Sequence, residues 1–248
     1  MIRYIFLIIN LMILSDRSIG QDARDLVRKA DEHSRGITSI ASLSIRTIRP
    51  GWSREMTLKV WTRGRTDALI LIQSPARDKG IAYLRKTREV WNWIPSIERN
   101  IKLPPSMMSQ SWMGTDFTND DLVKEASIVE DYTHTLLGQD MIDGRPCHKI
   151  SMVPKPEAAV VWGKILLWID RQDLLILHAE YYDEDESLVN TLHGSDIRML
   201  GGRLLPARLE MRPADKKGDM TVMIYHSVTF DQPLPDRIFT TQFMSKAQ

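Results

Sequence analysis

Cysteine, net charge and long apolar runs are all scarce in this chain of 248 residues. Cys147 is alone, which excludes an internal disulfide and a cysteine-based structural zinc site. Basic and acidic side chains number 33 and 32, a net charge of +1 that leaves no electrostatic footprint for nucleic acid. The same balance argues against a polybasic membrane-surface binder. Catalytic motifs are missing too. The six histidines (His33, His134, His148, His178, His193 and His226) form no His-x-x-x-His or His-Glu-x-x-His pair. There is no Gly-x-Ser-x-Gly elbow, phosphate-binding glycine loop or dinucleotide fingerprint. Cys147 and His148 are neighbours and point to opposite faces of a strand, which makes them a poor nucleophile–base pair; a buried structural thiol is the simpler reading. The acidic runs at 116–121 and 183–186 lack the ligand spacing of an EF-hand loop. No catalytic set, metal or cofactor is expected, and the chain reads as a non-enzyme.

The first apolar run is short. Ile5–Leu14 follows the positive Arg3 and precedes the small residues Ser18 and Gly20, the pattern of a cleavable secretory signal over residues 1–20. Ten residues fall well below the roughly 20 needed to span a bilayer. Without Arg3, Arg17 and Asp16 the balance becomes 31 basic to 31 acidic residues. The expectation is a neutral, secreted domain over 21–248, with the signal cleaved near Gly20.

What is present is mostly β-rhythm. Ala23, Leu26, Val27 and Ala30 recur at helical spacing and predict one amphipathic helix over 22–35, stopped by Gly36. From there the period changes to two: Met56, Leu58 and Val60 alternate with Glu55, Thr57 and Lys59. Strand-like runs follow near 41–48, 67–73, 80–86, 89–94 and 97–103. Pro104–Pro105 break this rhythm, and Thr118 is placed to cap a short helix with Asp120 and Asp121 in its first turn. Strands resume after 130, with Asp143–Gly144, Gly201–Gly202 and Lys217–Gly218 as turn signals. The run 165–169 is apolar on both faces and predicts a covered central strand. Pro235 and Asp236 are placed to open a short helix carrying Ile238 and Phe239. The pattern predicts an α+β, mainly β fold: one antiparallel sheet of roughly ten strands that curls. Helices on one side would close an apolar space against it.

Five Phe stand against 13 Met and 7 Trp. Trp91 and Trp93 share one face of a strand, and Met107, Met108, Trp112 and Met113 cluster in the irregular middle. Flexible thioethers with aromatics suit either an adaptable core or an apolar binding surface, and composition leaves both readings open.

The segment Val90-Trp-Asn-Trp-Ile-Pro-Ser-Ile-Glu-Arg-Asn-Ile-Lys-Leu-Pro104, followed by Ser111-Trp-Met-Gly-Thr-Asp-Phe-Thr-Asn-Asp-Asp-Leu122, resembles the outer membrane lipoprotein-sorting family, which is LolA-like and related to the LolB and RseB N-terminal folds. Ser74–Leu84 and Leu234–Thr241 resemble its pattern as well, so the likeness spans about residue 22 onward. It implies an unclosed antiparallel β-barrel with helices as a lid over an apolar cavity. It also implies a periplasmic carrier for the acyl chains of a lipoprotein or lipid. On this basis Met56, Leu58, Val60, Trp91 and Trp93 are expected in the cavity wall, with Met107, Met108, Trp112 and Met113 in or under the lid. Arg63 and Arg65 roughly match the family's lid-holding arginine. The implied partners are the acylated cargo, an inner-membrane transporter or exporter and an outer-membrane acceptor. The alternative is a periplasmic sensor module that binds lipid or lipoprotein and contacts a membrane protein.

Overall fold

A computed structural model describes residues 22–87, 89–124 and 128–246; the expected signal segment lies outside them. The first element is helix α1, residues 22–35. Its apolar stripe, Ala23, Val27 and Ala30, is buried, while Arg28 on another face pairs with Glu32 at 2.8 Å. Gly36 ends it as expected. Its N–H donates to the Glu32 carbonyl at 3.0 Å and its φ is +69°, while a Cβ there would come within 2.9 Å of Asp231. A side chain at this position meets both a strained backbone and a filled space.

Among the described residues thirteen strands follow in a single antiparallel sheet, three more than the sequence rhythm suggests. The first six are β1 (Thr38–Arg49), β2 (Trp52–Arg63), β3 (Asp67–Ser74), β4 (Ala82–Lys86), β5 (Glu89–Ile94) and β6 (Arg99–Lys102). The remaining seven are β7 (Tyr132–Ile142), β8 (Arg145–Pro154), β9 (Lys164–Asp170), β10 (Ile176–Tyr182), β11 (Leu188–Leu200), β12 (Arg203–Pro213) and β13 (Met220–Phe230). The order across the sheet is β6-β5-β4-β3-β2-β1-β13-β12-β11-β10-β9-β8-β7. Two meanders are therefore stitched together along β1 and β13, and β6 and β7 remain as open edges. Asp143 and Gly144, both at positive φ, form the two-residue turn between β7 and β8. The covered strand predicted at 165–169 is β9. Its Ile165, Leu167 and Ile169 pack with α1, and Trp168 packs on the other face with Cys147, Leu175 and Leu177.

The connection from β6 to β7, residues 103–131, carries the chain from one open edge to the other. It is largely turns rather than a long helix. It contains 3-10 turns at Pro105–Met107 and Trp112–Gly114 and a π-helical turn at Asp120–Lys124. Thr118 caps that last turn: its N–H donates to Asp121 Oδ2 at 2.8 Å and its hydroxyl accepts from the Asp121 N–H at 3.1 Å. Trp112 and Phe117 sink into the sheet interior beside Met56, Ile72, Tyr83 and Val90.

Asp116 holds this segment in place. Arg49, at the end of β1, clamps it through both oxygens at 2.9 and 3.0 Å. Thr221 of β13 donates its hydroxyl to the same carboxylate at 2.7 Å and accepts from the Asp116 N–H at 2.9 Å. Arg54 adds a bond to the Met113 carbonyl at 3.3 Å. The C-terminal segment covers the outer face of β2–β5. A 3-10 turn at Asp236–Phe239 leads into helix α2 (Thr241–Met244), and Phe239 and Met244 are buried against Leu69, Leu71 and Leu84.

Because the Arg49 and Asp116 side chains are 16% and 7% exposed, removing one partner strands a charge in a poorly solvated place. Arg49→Met is expected to cost about 3 kcal/mol in urea unfolding; a loss below about 0.5 kcal/mol would show that the clamp is dispensable. A second electrostatic centre sits at the opposite end. Asp170, 1% exposed, accepts from Arg145 at 2.9 and 3.0 Å and from the Asp173 N–H at 2.6 Å. Although burial opposes it, these bonds hold the Asp170 carboxyl below its usual 3.8. Its contribution is therefore complete above about pH 4 and is lost as pH falls through the depressed folded value. Unfolding titrations should show Asp170→Asn less stable near neutrality and less steeply destabilised by acid. Parallel acid curves for the two proteins would contradict this.

Candidate functional site

Inside the curl of the sheet lies a cavity of about 320 Å³. Its wall follows from strand alternation: every second residue of β1–β3 points inward, giving Leu43, Leu58, Val60 and Ile70. The facing wall is Leu192 of β11, Leu209 of β12 and Met223 and Tyr225 of β13. A register shift between β1 and β13, at Ser42 and Leu43, changes the inward parity along β13, so Val228 also reaches the cavity. The middle segment contributes Trp112, Asp121 and Leu122.

One end of the cavity is polar. The last turn of α1 places His33, Ser34 and Arg35 there, opposite Ser39 and Thr62. These groups are mutually satisfied: Ser39 and Thr62 share a hydroxyl bond of 2.7 Å, and His33 Nε2 lies 2.9 Å from the Leu204 carbonyl. The arrangement is an apolar chamber with a polar collar, the layout of a site for an apolar or amphipathic molecule.

The deep polar group is Asp121. Its Oδ1 accepts from Trp162 Nε1 at 2.8 Å and its Oδ2 from the Thr118 N–H. Burial nevertheless pushes its carboxyl above the usual carboxylate range. Cys147 stands apart in the outer-face cluster, where burial raises its thiol to about 11 and suppresses the reactive thiolate. Among the described residues, no group of three or more His, Cys, Asp or Glu side chains is arranged to hold a metal ion.

Of the expected wall and lid residues, Leu58, Val60 and Trp112 line the cavity. Met56 and Met113 pack behind it in the same cluster, Met113 receiving the Tyr83 hydroxyl on its sulfur at 3.2 Å. Met108 is buried and Met107 half-buried, and neither is part of the lining. Trp91 and Trp93 are placed on the other side of the sheet, beside Phe239 and Met244. The reason is parity: Val90 and Asn92 take the inward positions of β5, and the tryptophans meet the C-terminal segment.

The two arginines also separate. Arg63 pairs with Asp67 at 2.6 Å and with Asp236, and stacks over Phe239 at 4.7 Å, so it fastens the C-terminal segment. Arg65 reaches α1: its Nε lies 2.9 Å from Asp31, which also takes Arg35 at 2.8 Å. Arg203 completes the fastening by donating to the Glu32 and His33 carbonyls at 3.1 and 2.9 Å. The sequence pattern singles out neither Arg49 nor Arg203, and it shows Asp116 only as part of an acidic run. Asp116 lies within the Met-Gly-Thr-Asp-Phe element, but nothing local names its distant partners.

A family model described as "Uncharacterized protein" matches residues 64–246. No curated protein matches the sequence. Among solved structures, a DUF1329 family protein from Desulfovibrio piger is similar with 22% identity and a TM-score of 0.83, covering 91% of this chain and 99% of that one. A domain described as an outer membrane lipoprotein-sorting protein from Vibrio parahaemolyticus gives 17% identity and a TM-score of 0.81, with coverage of 91% and 99%. A LolA superfamily protein from Nitrosomonas europaea gives 27% identity and a TM-score of 0.76, with coverage of 89% and 98%.

The opposed roles of the two arginines are separable by hydrogen exchange. Arg65→Met should speed exchange in the last turn of α1 and leave 236–244 unchanged, while Arg63→Met should do the reverse. Equal effects of both variants on both segments would contradict the assignment.

Proposed function

The chain belongs to the family whose model spans residues 64–246 and has the LolA-like fold of outer membrane lipoprotein-sorting proteins, and from this premise we propose that it is a periplasmic carrier for acylated cargo. The cargo is a lipid or a lipoprotein, taken from an inner-membrane transporter or exporter and passed toward an outer-membrane acceptor. The observation that carries this reading is the apolar chamber with its polar collar. Each methylene removed from water is worth about 0.8 kcal/mol, so a free acyl chain leaves a bilayer only if an equally apolar space receives it. The inward faces of β1–β3 and β11–β13 supply such a space. Among the described residues no helix is long and apolar enough to cross a membrane.

At about 320 Å³ the cavity lies at the small end of the usual range for ligand sites, roughly 300 to 1,000 Å³. It suits one short apolar chain as it stands. A cargo with several chains requires the collar to part, and the last turn of α1 is the piece of the collar held by side chains rather than by sheet hydrogen bonds. Arg65 and Arg203 are the fastenings that would then release. In this reading Leu58, Val60 and Trp112 contact the chain directly, while Met56 and Met113 let the wall repack around chains of different shape.

Saturable binding of a fluorescent fatty acid to delipidated protein tests the proposal. Val60→Trp fills the chamber and should weaken that binding about tenfold or more while the protein still unfolds cooperatively. Wild-type affinity in the filled variant, or no saturable binding by the wild type, would contradict it.

A further inference from the structure

The chamber is not uniformly apolar at its inner side, and its two polar intrusions are complementary. Trp112 is fully buried and lines the cavity, yet its Nε1–H has no hydrogen-bond acceptor among the described residues. Asp121 lines the same cavity. Its oxygens accept from Trp162 Nε1 and from the Thr118 N–H, at 2.8 Å in both cases, and the Thr118 hydroxyl is a third partner. A carboxylate offers about four acceptor positions, so about one remains. One segment of chain thus brings a bare donor and an acceptor with spare capacity to a single small chamber. Trp93 Nε1 is also buried without an acceptor, but it lies on the outer face of β5, away from the cavity. The cavity gives Trp112 a potential partner that Trp93 lacks.

We propose that the chamber selects an apolar ligand bearing a hydroxyl group, whose oxygen accepts from Trp112 Nε1–H and whose proton is donated to the Asp121 carboxyl. This deepens the carrier reading and rests on it. A plain hydrocarbon leaves the indole N–H desolvated and unpaired. A hydroxyl satisfies it and uses a free Asp121 acceptor position at the same time, and a site built around such a pair discriminates against the analogue that lacks the group.

The test uses the full-length mature protein with 1-octanol and n-octane as competitors for a bound fluorescent naphthylamine, each corrected to its free aqueous concentration. From wild type to Trp112→Phe, the affinity ratio of octanol over octane should fall about fivefold or more. A second readout needs no binding by a variant. In the 1H–15N spectrum of the wild type, the Trp112 indole N–H resonance should move downfield with 1-octanol and less with n-octane. An unchanged affinity ratio in Trp112→Phe, or an indole resonance indifferent to octanol while octanol binds, overturns the inference and leaves the carrier reading standing. Failure of both competitors to displace the probe overturns the carrier reading, and this inference with it.

Discussion

The bidentate pair between Arg49 and Asp116 settles where the 103–131 connection lies. A sheet with two open edges leaves that connection free to run over the surface or to turn inward. Asp116 accepts from both terminal nitrogens of Arg49 and from Thr221, so the middle segment is fastened at the β1–β13 seam where the two meanders join. Trp112 and Phe117, flanking that anchor, are thereby carried into the interior. The cavity is what remains between this plug, the sheet and α1. Without the plug the inward faces of β1–β5 would be an open apolar surface, which soluble proteins rarely tolerate at that size.

The two ends of the chamber are held by different physics. At the plug, the charges are mostly shielded from solvent and the contacts are directional, so the segment has little freedom to shift. At the collar, α1 is fastened by Arg65, which is about one-third exposed, and by Arg203 donating to carbonyls at the helix end. The partner of Arg65 is the buried Asp31, 5% exposed, which also takes Arg35. In the proposed carrier role, parting this end for cargo means breaking the pairs at Asp31 as well as the Arg203 bonds to the helix end.

Much of this was legible in the residues. The 22–35 helix, its stop at Gly36 and the early strands follow from periodicity, because apolar spacing reports directly on which face is buried. The choice between faces did not. Leu58 and Val60 line the cavity while Trp91 and Trp93, equally apolar and equally well alternated, lie outside. Alternation defines two faces, and only the covering by Phe239 and Met244, some 150 positions later in the chain, distinguishes them. Along β13 the register shift changes the parity, so an unbroken alternation reading assigns Val222 and Ile224 the positions that Met223 and Tyr225 take in the cavity wall. Arg63 and Arg65 are two residues apart and point to one side in a regular strand. The turn at Gly64 sends one to the C-terminal segment and the other to α1.

Chamber occupancy in the cell is the central claim in its most direct form. Protein released from the cell envelope without detergent can be weighed intact by native mass spectrometry, and its organic extract analysed in parallel. The account predicts one apolar-chain molecule per protein, released when the complex is denatured. A homogeneous apo mass with a lipid-free extract, obtained under conditions that preserve a fatty acid added as a control, would contradict it.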